Sequence, residues 1–489
     1  MNSLKDAYER VFYRSFPRRA TDPDRLSAVA SLFGCESPPV ESARVLEIGC
    51  SDGGNLISLA VIYPRATFVG IDLAELPVAR GRELIRQLDL ANVSLRQLDI
   101  VNFRADAGDF DYIIVHGVFS WVPAEVRTAI LRVIQRHLSP SGIAYIDYNA
   151  QPGGNLRYAF RESMRYHVRR SHDAQQRIDQ ARALVGLIIE ANPPGTIYRQ
   201  LAEEEMQRLL RTPDAALFHD SLSERNEPFY FHEFIGTAAE QGLQYLAEAD
   251  VSEMSDARLP AKVREQLSGI RSLVEKEQYL DILTNRTFRQ TLLCRAGRKI
   301  NRALDGSTLA SLFFSSRAEL ASGASPDQTV IHTVLGTVTT SHPLTKAVVQ
   351  ALVDRSGSRL RTAELLLNLA DLESGAAEEL EAQLPPILLQ LVMSGILEVH
   401  ATSASFSVNV TTRPLASRLA RLQASQDERI STLNHESIEL AEPFARRLLP
   451  LLDGSRTAAQ LAALLNEEEA LVLKELRGLA SAQVLLREF

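Results

Sequence analysis

Between Arg44 and Tyr148 the chain alternates short apolar, β-branched runs with stretches whose apolar residues recur every three or four positions. Continuous apolar runs of four to six residues suit buried strands, and the 3.6-residue recurrence suits helices. Strands are therefore expected at 45–48, 67–71, 93–98, 112–115 and 143–148. Leu56, Ile57, Leu59, Ala60 and Tyr63 mark one helical face between the first two; Val126, Ile130, Val133, Ile134 and Leu138 mark a later one. Such alternation builds a mainly parallel sheet with helices on both faces, and ligands of such sheets bind at the carboxyl ends of the strands.

Past Gln151-Pro152-Gly153-Gly154 the strand signals fade into charged, helix-favouring sequence such as 201–211, interrupted by the aromatic island Pro228-Phe229-Tyr230-Phe231-His232-Glu233-Phe234. The final region mixes helical periodicity with β-like runs at 396–399, 406–410 and 484–489 and a turn signal at Asp453-Gly454-Ser455. The expected division is an α/β domain over 1–154, a helical domain over 155–300 and an α+β, winged-helix-like domain over 301–489. A length of 489 residues agrees with three domains of about 150 residues each.

Composition narrows the class. With 45% hydrophobic and 23% charged residues, the chain can bury sizeable cores and is not a disordered or fibrous protein. A formal charge of -8 and a pI near 5.8 disfavour nucleic acid and anionic membranes as partners. Cys35, Cys50 and Cys294 are too few and too scattered for a disulfide framework, and His167 and His172 lack companions at metal-ligand spacing, so no metal is expected. Neither a secretory h-region nor a membrane span is recognisable, and the expected location is the cytoplasm.

Candidate chemistry gathers at Glu47-Ile48-Gly49-Cys50-Ser51-Asp52-Gly53-Gly54-Asn55, a glycine-rich loop between the first strand and the first helix. Such a loop alone would suit dinucleotides, phosphates or S-adenosyl-L-methionine (SAM). Gly49-x-x-x-Gly53 lacks the dinucleotide spacing, and no lysine is placed to anchor a phosphate. Asp72 ends the second strand, where a carboxylate can accept both ribose hydroxyls, and Asp99 ends the third, where it can meet an adenine amino group. Glu47 precedes the loop and can meet the ligand's amino group. Ribose and adenine without a pyrophosphate describe SAM.

The motif Val45-Leu46-Glu47-Ile48-Gly49-Cys50 resembles the first motif of class I SAM-dependent methyltransferases, which have a Rossmann-like fold. The run from Phe110 through His116, Phe119 and Trp121 to Pro123, then Tyr148-Asn149, the aromatic island and Asn285-Arg286-x-Phe288-Arg289-x-Thr291-Leu292-Leu293-Cys294 are similar to members carrying a methyltransferase regulatory domain, among them the rickettsial protein-lysine methyltransferases acting on outer-membrane proteins. The resemblance spans about residues 8–300. It implies a SAM-dependent protein-lysine N-methyltransferase, with an outer-membrane protein before export as the acceptor; a small-molecule N- or O-methyltransferase is the alternative. The chain departs from the family at Ser51, where glycine is usual, and at Gly154, where the family carries tryptophan after Thr-x-Pro-Gly. A homodimer remains open.

The cofactor set expected on this reading is Tyr13, Glu47, Gly49, Ser51, Gly53, Asn55, Asp72, Leu73, Asp99, Ile100 and His116, with Tyr8, Tyr13 and Ser15 forming a lid. For the acceptor side, a carbonyl in the 116–119 loop would hold the amine while Phe119 and Trp121 exclude water, or His116 would act as general base. Tyr148 and Asn149, at a strand's carboxyl end, are expected to contact substrate. His232 and Glu233 would either reach the site or belong to a core, and the run Arg157, Arg161, Arg165, Arg169, Arg170 is read as a solvated helix face. Around Leu451–Leu461 the tail resembles winged-helix modules that hold peptides, so it would recruit the protein substrate.

Overall fold

The computed structural model describes residues 11–104, 109–304, 306–323, 325, 328–333, 336–355, 357–370 and 377–487. Tyr8 lies outside them.

Seven strands form one sheet: β1 (Arg44–Ile48), β2 (Thr67–Asp72), β3 (Val93–Gln97), β4 (Phe110–Val115), β5 (Leu138–Asn149), β6 (Leu243–Glu248) and β7 (Phe288–Arg295), in the order β3-β2-β1-β4-β5-β7-β6. The first five run parallel, joined by the helices Gly54–Ile62, Glu75–Leu88 and Ala124–His137; β7 is antiparallel to β5 and to β6. The five strands expected from the apolar runs are present. The stretch 155–300, expected as a helical domain, also contains β6 and β7, which complete the sheet of the preceding domain. The helices Gly154–His167, Ala174–Ala191 and Ile197–Arg211 are thus inserted between β5 and β6, around a core of their own that includes Phe160, Met164, Val185 and Leu209.

Buried Arg289 explains part of the distinctive motif on β7. It pairs with Glu248 (2.6 Å), Glu277 (3.0 Å) and Asp281 (2.8 Å), all buried, so one guanidinium joins β7, β6 and the helix Leu273–Thr284. Removing one partner of so enclosed a network would strand a buried charge, at a cost of about 3–5 kcal/mol.

One face of the sheet shares a continuous apolar core with the following region: Leu26, Val45, Leu246 and Leu292 are in the same cluster as Phe314, Leu352, Leu388 and Val399. There the strand Phe313–Ser316 pairs with Leu360–Arg361 and with Leu397–His400. The N-terminal helix Pro23–Leu32 is clamped between the two parts, for buried Asp24 accepts from Arg359 (2.9 Å), His400 (3.0 Å) and the Thr402 amide (2.7 Å). The last unit closes over Ala420, Leu448, Leu452, Leu476 and Val484. Its helix Ala458–Leu465 starts with Thr457 as cap, in a reciprocal capping box with Gln460. In that helix Leu461 and Ala462 are buried, whereas Ala459 and Leu464 face out. Of the β-like runs at 406–410 and 484–489, the described residues form isolated bridges, Phe406 with Leu486 and Leu485 with Ala416, and 488–489 lie outside the described residues. Among the described residues, no helix is long and apolar enough to cross a membrane.

Candidate active site

Strand polarity brings the carboxyl ends of β1 to β5 to one edge, where a cavity of about 670 Å³ opens beneath the N-terminal segment and the inserted helices. Its floor is the glycine-rich loop. Gly49 has φ +79°, and a Cβ there would come within 2.3 Å of the Val118 side chain, so both conformation and space require glycine. Ser51 also adopts a left-handed conformation, φ 52°, which accounts for the glycine usual at this position in the resembling family. The serine supplies something glycine lacks: its hydroxyl donates to the Tyr13 carbonyl at 2.7 Å. Ser15 N donates to Asp52 (2.8 Å) and Arg18 N to Asn55 (2.9 Å), which stitches the N-terminal segment along the loop. A Cβ at Gly54 would stand 2.0 Å from the Ser15 carbonyl, so this glycine admits the segment.

Of the expected cofactor residues, Tyr13, Glu47, Gly49, Ser51, Asp72, Leu73, Asp99, Ile100 and His116 line the cavity. Gly53 and Asn55 stand behind its wall. Gly53 caps the helix Gly54–Ile62, and Asn55 donates from Nδ2 to Glu47 Oε1 at 3.0 Å, orienting the glutamate. The other Glu47 oxygen, Oε2, is buried without a hydrogen-bond partner among the described residues. Burial pushes this carboxyl up to about 8, opposed by the Asn55 hydrogen bond and reinforced by Asp72, Asp52 and Asp147. Asp72 accepts the amides of Ser51 and Ala74, both at 2.8 Å, one on each oxygen, which leaves a second lone pair on each. Asp99 caps the short turn Ile100–Asn102 by accepting from Val101 N at 3.1 Å.

On the acceptor side, His116, Trp121 and Asn149 line the cavity, whereas Phe119 and Tyr148 do not. Those two are almost wholly buried in an aromatic cluster that gathers Phe229 and Phe234; Tyr148 stacks on Phe234 with centroids 4.2 Å apart. The substrate contact expected of Tyr148 and the place in the cavity wall expected of Phe119 are therefore corrected: both side chains pack behind the lining residues. The aromatic island divides likewise: Phe231 and Phe234 are core, while His232 and Glu233 face solvent, His232 bonding Gln278 at 2.9 Å. Of the arginine run, Arg157, Arg169 and Arg170 are exposed as expected, whereas Arg161 is buried; Arg157 and Arg161 also line the cavity.

Four residues of this site carry no signal used in the sequence reading. Asp147, almost completely buried on β5, receives His116 Nδ1 on one oxygen and the Gly117 amide (2.7 Å) on the other, with the Tyr145 hydroxyl at 3.2 Å. The Nδ1 proton thereby points to the carboxylate, and Nε2 has no hydrogen-bond partner among the described residues. Arg18, Asn226 and Asp220 line the cavity, and Asn226 accepts from Asn149 Nδ2 at 2.8 Å.

Known proteins bear on this site. Residues 45–142 match the family described as methyltransferase domain, 213–295 the predicted methyltransferase regulatory domain, and 412–475 the PKMT C-terminal winged helix domain. An uncharacterized protein of Rickettsia prowazekii is 43% identical over 299 residues, covering 61% of this chain and 54% of the relative, so the chain spans about half of that protein's length. A second uncharacterized R. prowazekii protein is 35% identical over 243 residues, 50% of this chain and 97% of the relative. The structure of PKMT2 from Rickettsia typhi in complex with AdoHcy is similar to 97% of this chain and to all of that one, with a TM-score of 0.87 at 27% identity. With the glycine-rich loop, the strand-end carboxylates and the three matched domains in register, the chain belongs to the class I SAM-dependent methyltransferases that carry a regulatory domain and a PKMT-type winged helix.

Proposed function

We propose that this methyltransferase is an N-methyltransferase whose acceptors are lysine side chains of a protein. The observation that carries the reading is the His116–Asp147 pair facing the cavity beside the cofactor loop. An ammonium has no lone pair to attack with, so an amine acceptor needs a proton acceptor at the site, and imidazole held by a carboxylate is suited to that task.

The cavity suits SAM on its own evidence. Among the described residues Glu47 Oε2 is buried with its hydrogen-bonding capacity unused, and Asp72 retains acceptor capacity at the β2 end. Asp72 would hold the ribose hydroxyls, Asp99 and Ile100 the adenine with Leu73 against its face, Glu47 and Gly49 the methionyl amino group, and Arg18 its carboxylate. Tyr13 would close over them as a lid. When bound, SAM supplies an electrophilic methyl on a sulfonium. His116 Nε2 takes the proton of the acceptor ammonium, and Asp147 stabilises the imidazolium that results. Trp121 and Asn149 orient the acceptor and exclude water. The winged-helix unit would hold the protein from which the lysine projects.

A second reading, methylation of a small molecule, rests on Gly154. It lies in the cavity lip against Pro228, where a Cβ would already approach to 3.1 Å, and the family's tryptophan is missing there. Incubation with SAM carrying a labelled methyl and with lysate fractions separates the two. Label recovered as methyl-lysine after hydrolysis of protein supports the first; label confined to small molecules, or found on oxygen or a nucleobase, refutes it.

A further inference from the structure

Opposite the cofactor loop, the cavity wall is built by the inserted helices, and one carboxylate there is unspoken for. Asp220 lies on the wide helical turn Leu217–Ser221, with i to i+5 geometry, a form often found at functional sites. The turn is held on every side but one: Leu217, Phe218, His219 and Ser221 are buried, His219 Nε2 donates to the Val11 carbonyl at 2.7 Å, and Ser221 Oγ meets Arg208 at 3.1 Å. Asp220 is the member of the turn that, with Ser221, reaches the cavity.

The other acids of the wall are engaged. Asp72 holds two backbone amides, Glu47 is tied to Asn55, and Glu205 is paired with Arg208 at 2.6 Å. No hydrogen bond reaches the Asp220 carboxylate among the described residues. Among the described residues, Arg208, Arg18, His116 and Tyr13 are the charged or titratable groups close enough to act on it. Burial raises it to about 6, so at neutral pH it is an anion on a wall that also carries His116.

We infer that the Asp220 carboxylate is the seat for the ammonium group of the methyl acceptor, which makes the acceptor a primary alkylamine that enters as a cation. This deepens the amine reading above and rests on it. From that seat the ammonium gives one proton to His116 Nε2: an N–H bond of the acceptor breaks, its electron pair stays on the acceptor nitrogen, and an Nε2–H bond forms. Division of labour between an anion that binds and an imidazole that removes the proton requires both walls, so the inserted helices complete the site.

The sole tryptophan, Trp121, lines the same cavity and reports on its occupancy. The full chain, saturated with S-adenosylhomocysteine, is titrated at neutral pH with n-butylamine, a lysine side-chain surrogate, and with its neutral isostere 1-butanol, following Trp121 fluorescence. The expected result is binding of the amine at least about tenfold tighter than the alcohol, a preference lost in Asp220→Asn and Asp220→Ser, retained in Asp220→Glu, with S-adenosylhomocysteine affinity unchanged throughout. An intact preference in either neutral variant overturns the seat and leaves amine methylation standing. Equal binding of the two probes by the wild-type chain overturns both together.

Discussion

His435 and Asn55, 380 positions apart in the chain, meet at 2.8 Å through His435 Nε2 and Asn55 Oδ1. Since Asn55 Nδ2 already donates to Glu47, its Oδ1 is an acceptor and the histidine carries its proton on Nε2. The relay His435–Asn55–Glu47 therefore fixes the cofactor loop from the C-terminal unit. Burial holds His435 down to about 3, so it is neutral and serves as a hydrogen-bonding strut. Replacing His435 by Ala should destabilise the chain by about 1–3 kcal/mol and weaken S-adenosylhomocysteine binding, although residue 435 does not line the cavity. Calorimetry returning wild-type affinity would show that Asn55 and Glu47 hold their places unaided.

Asp72→Ala should weaken SAM binding by about 1.5–3 kcal/mol, through loss of the acceptors for the ribose hydroxyls. The same change frees the Ser51 and Ala74 amides, so Asp72→Asn, which keeps an acceptor oxygen, should lie between the two. Equal affinity in all three chains would remove Asp72 from the ribose contact.

Asp147→Asn should lower kcat by about 10²–10⁴-fold with little change in SAM affinity, because an amide can donate to His116 Nδ1 and so favour the wrong tautomer. His116→Ala should do comparable damage, and the double variant little more, as expected of two groups acting as one unit. Additive losses in single-turnover assays would refute the pairing.

Glu47 sets a pH dependence of known sign. Its folded-state value near 8 exceeds the ordinary 4.5, so between those limits the folded chain holds a proton that the unfolded chain has released. Stability from this group is then complete below about 4.5 and is lost as pH rises towards 8, with a slope of at most about 1.4 kcal/mol per unit. Melting temperature should fall less steeply over that window in Glu47→Gln than in wild type. Parallel curves for the two chains would contradict the protonated state.

A chain ending at Gly297 should fail to melt cooperatively and should aggregate. It would bare the sheet face that Leu246 and Leu292 share with Phe314, Leu352 and Val399. A soluble, cooperatively melting fragment that binds SAM would show the C-terminal region to be dispensable for the fold.

The parallel half of the sheet was legible because β1, β2, β4 and β5 contain short apolar runs, with 3.6-period stretches after β1 and β4, and β3 alternates. β6 and β7 were not: Leu243–Glu248 is almost wholly buried and shows no alternation, and Phe288–Arg295 turns polar Arg289 and Thr291 inward while Phe288 is exposed, amid charged helices. Asp147 was hidden as an acid inside an apolar run. Its link to His116 follows from register: β4 and β5 are parallel neighbours with Val115 opposite Ile146, so the next residue on each strand must be adjacent. Strand adjacency, once assumed, would have found the pair. Asp220 offered no such route, because its placement depends on how the inserted helices pack over the strand ends.

The shared core and the His435 relay also set an order of events during synthesis. The glycine-rich loop and all seven strands leave the ribosome well before residue 435, yet Asn55 and one sheet face must wait for it. Until then the nascent chain carries apolar surface of the kind that chaperones bind, and a cofactor loop missing one of its struts. A translation product cut short before residue 435 would therefore be an aggregation hazard whose cofactor loop is incompletely held.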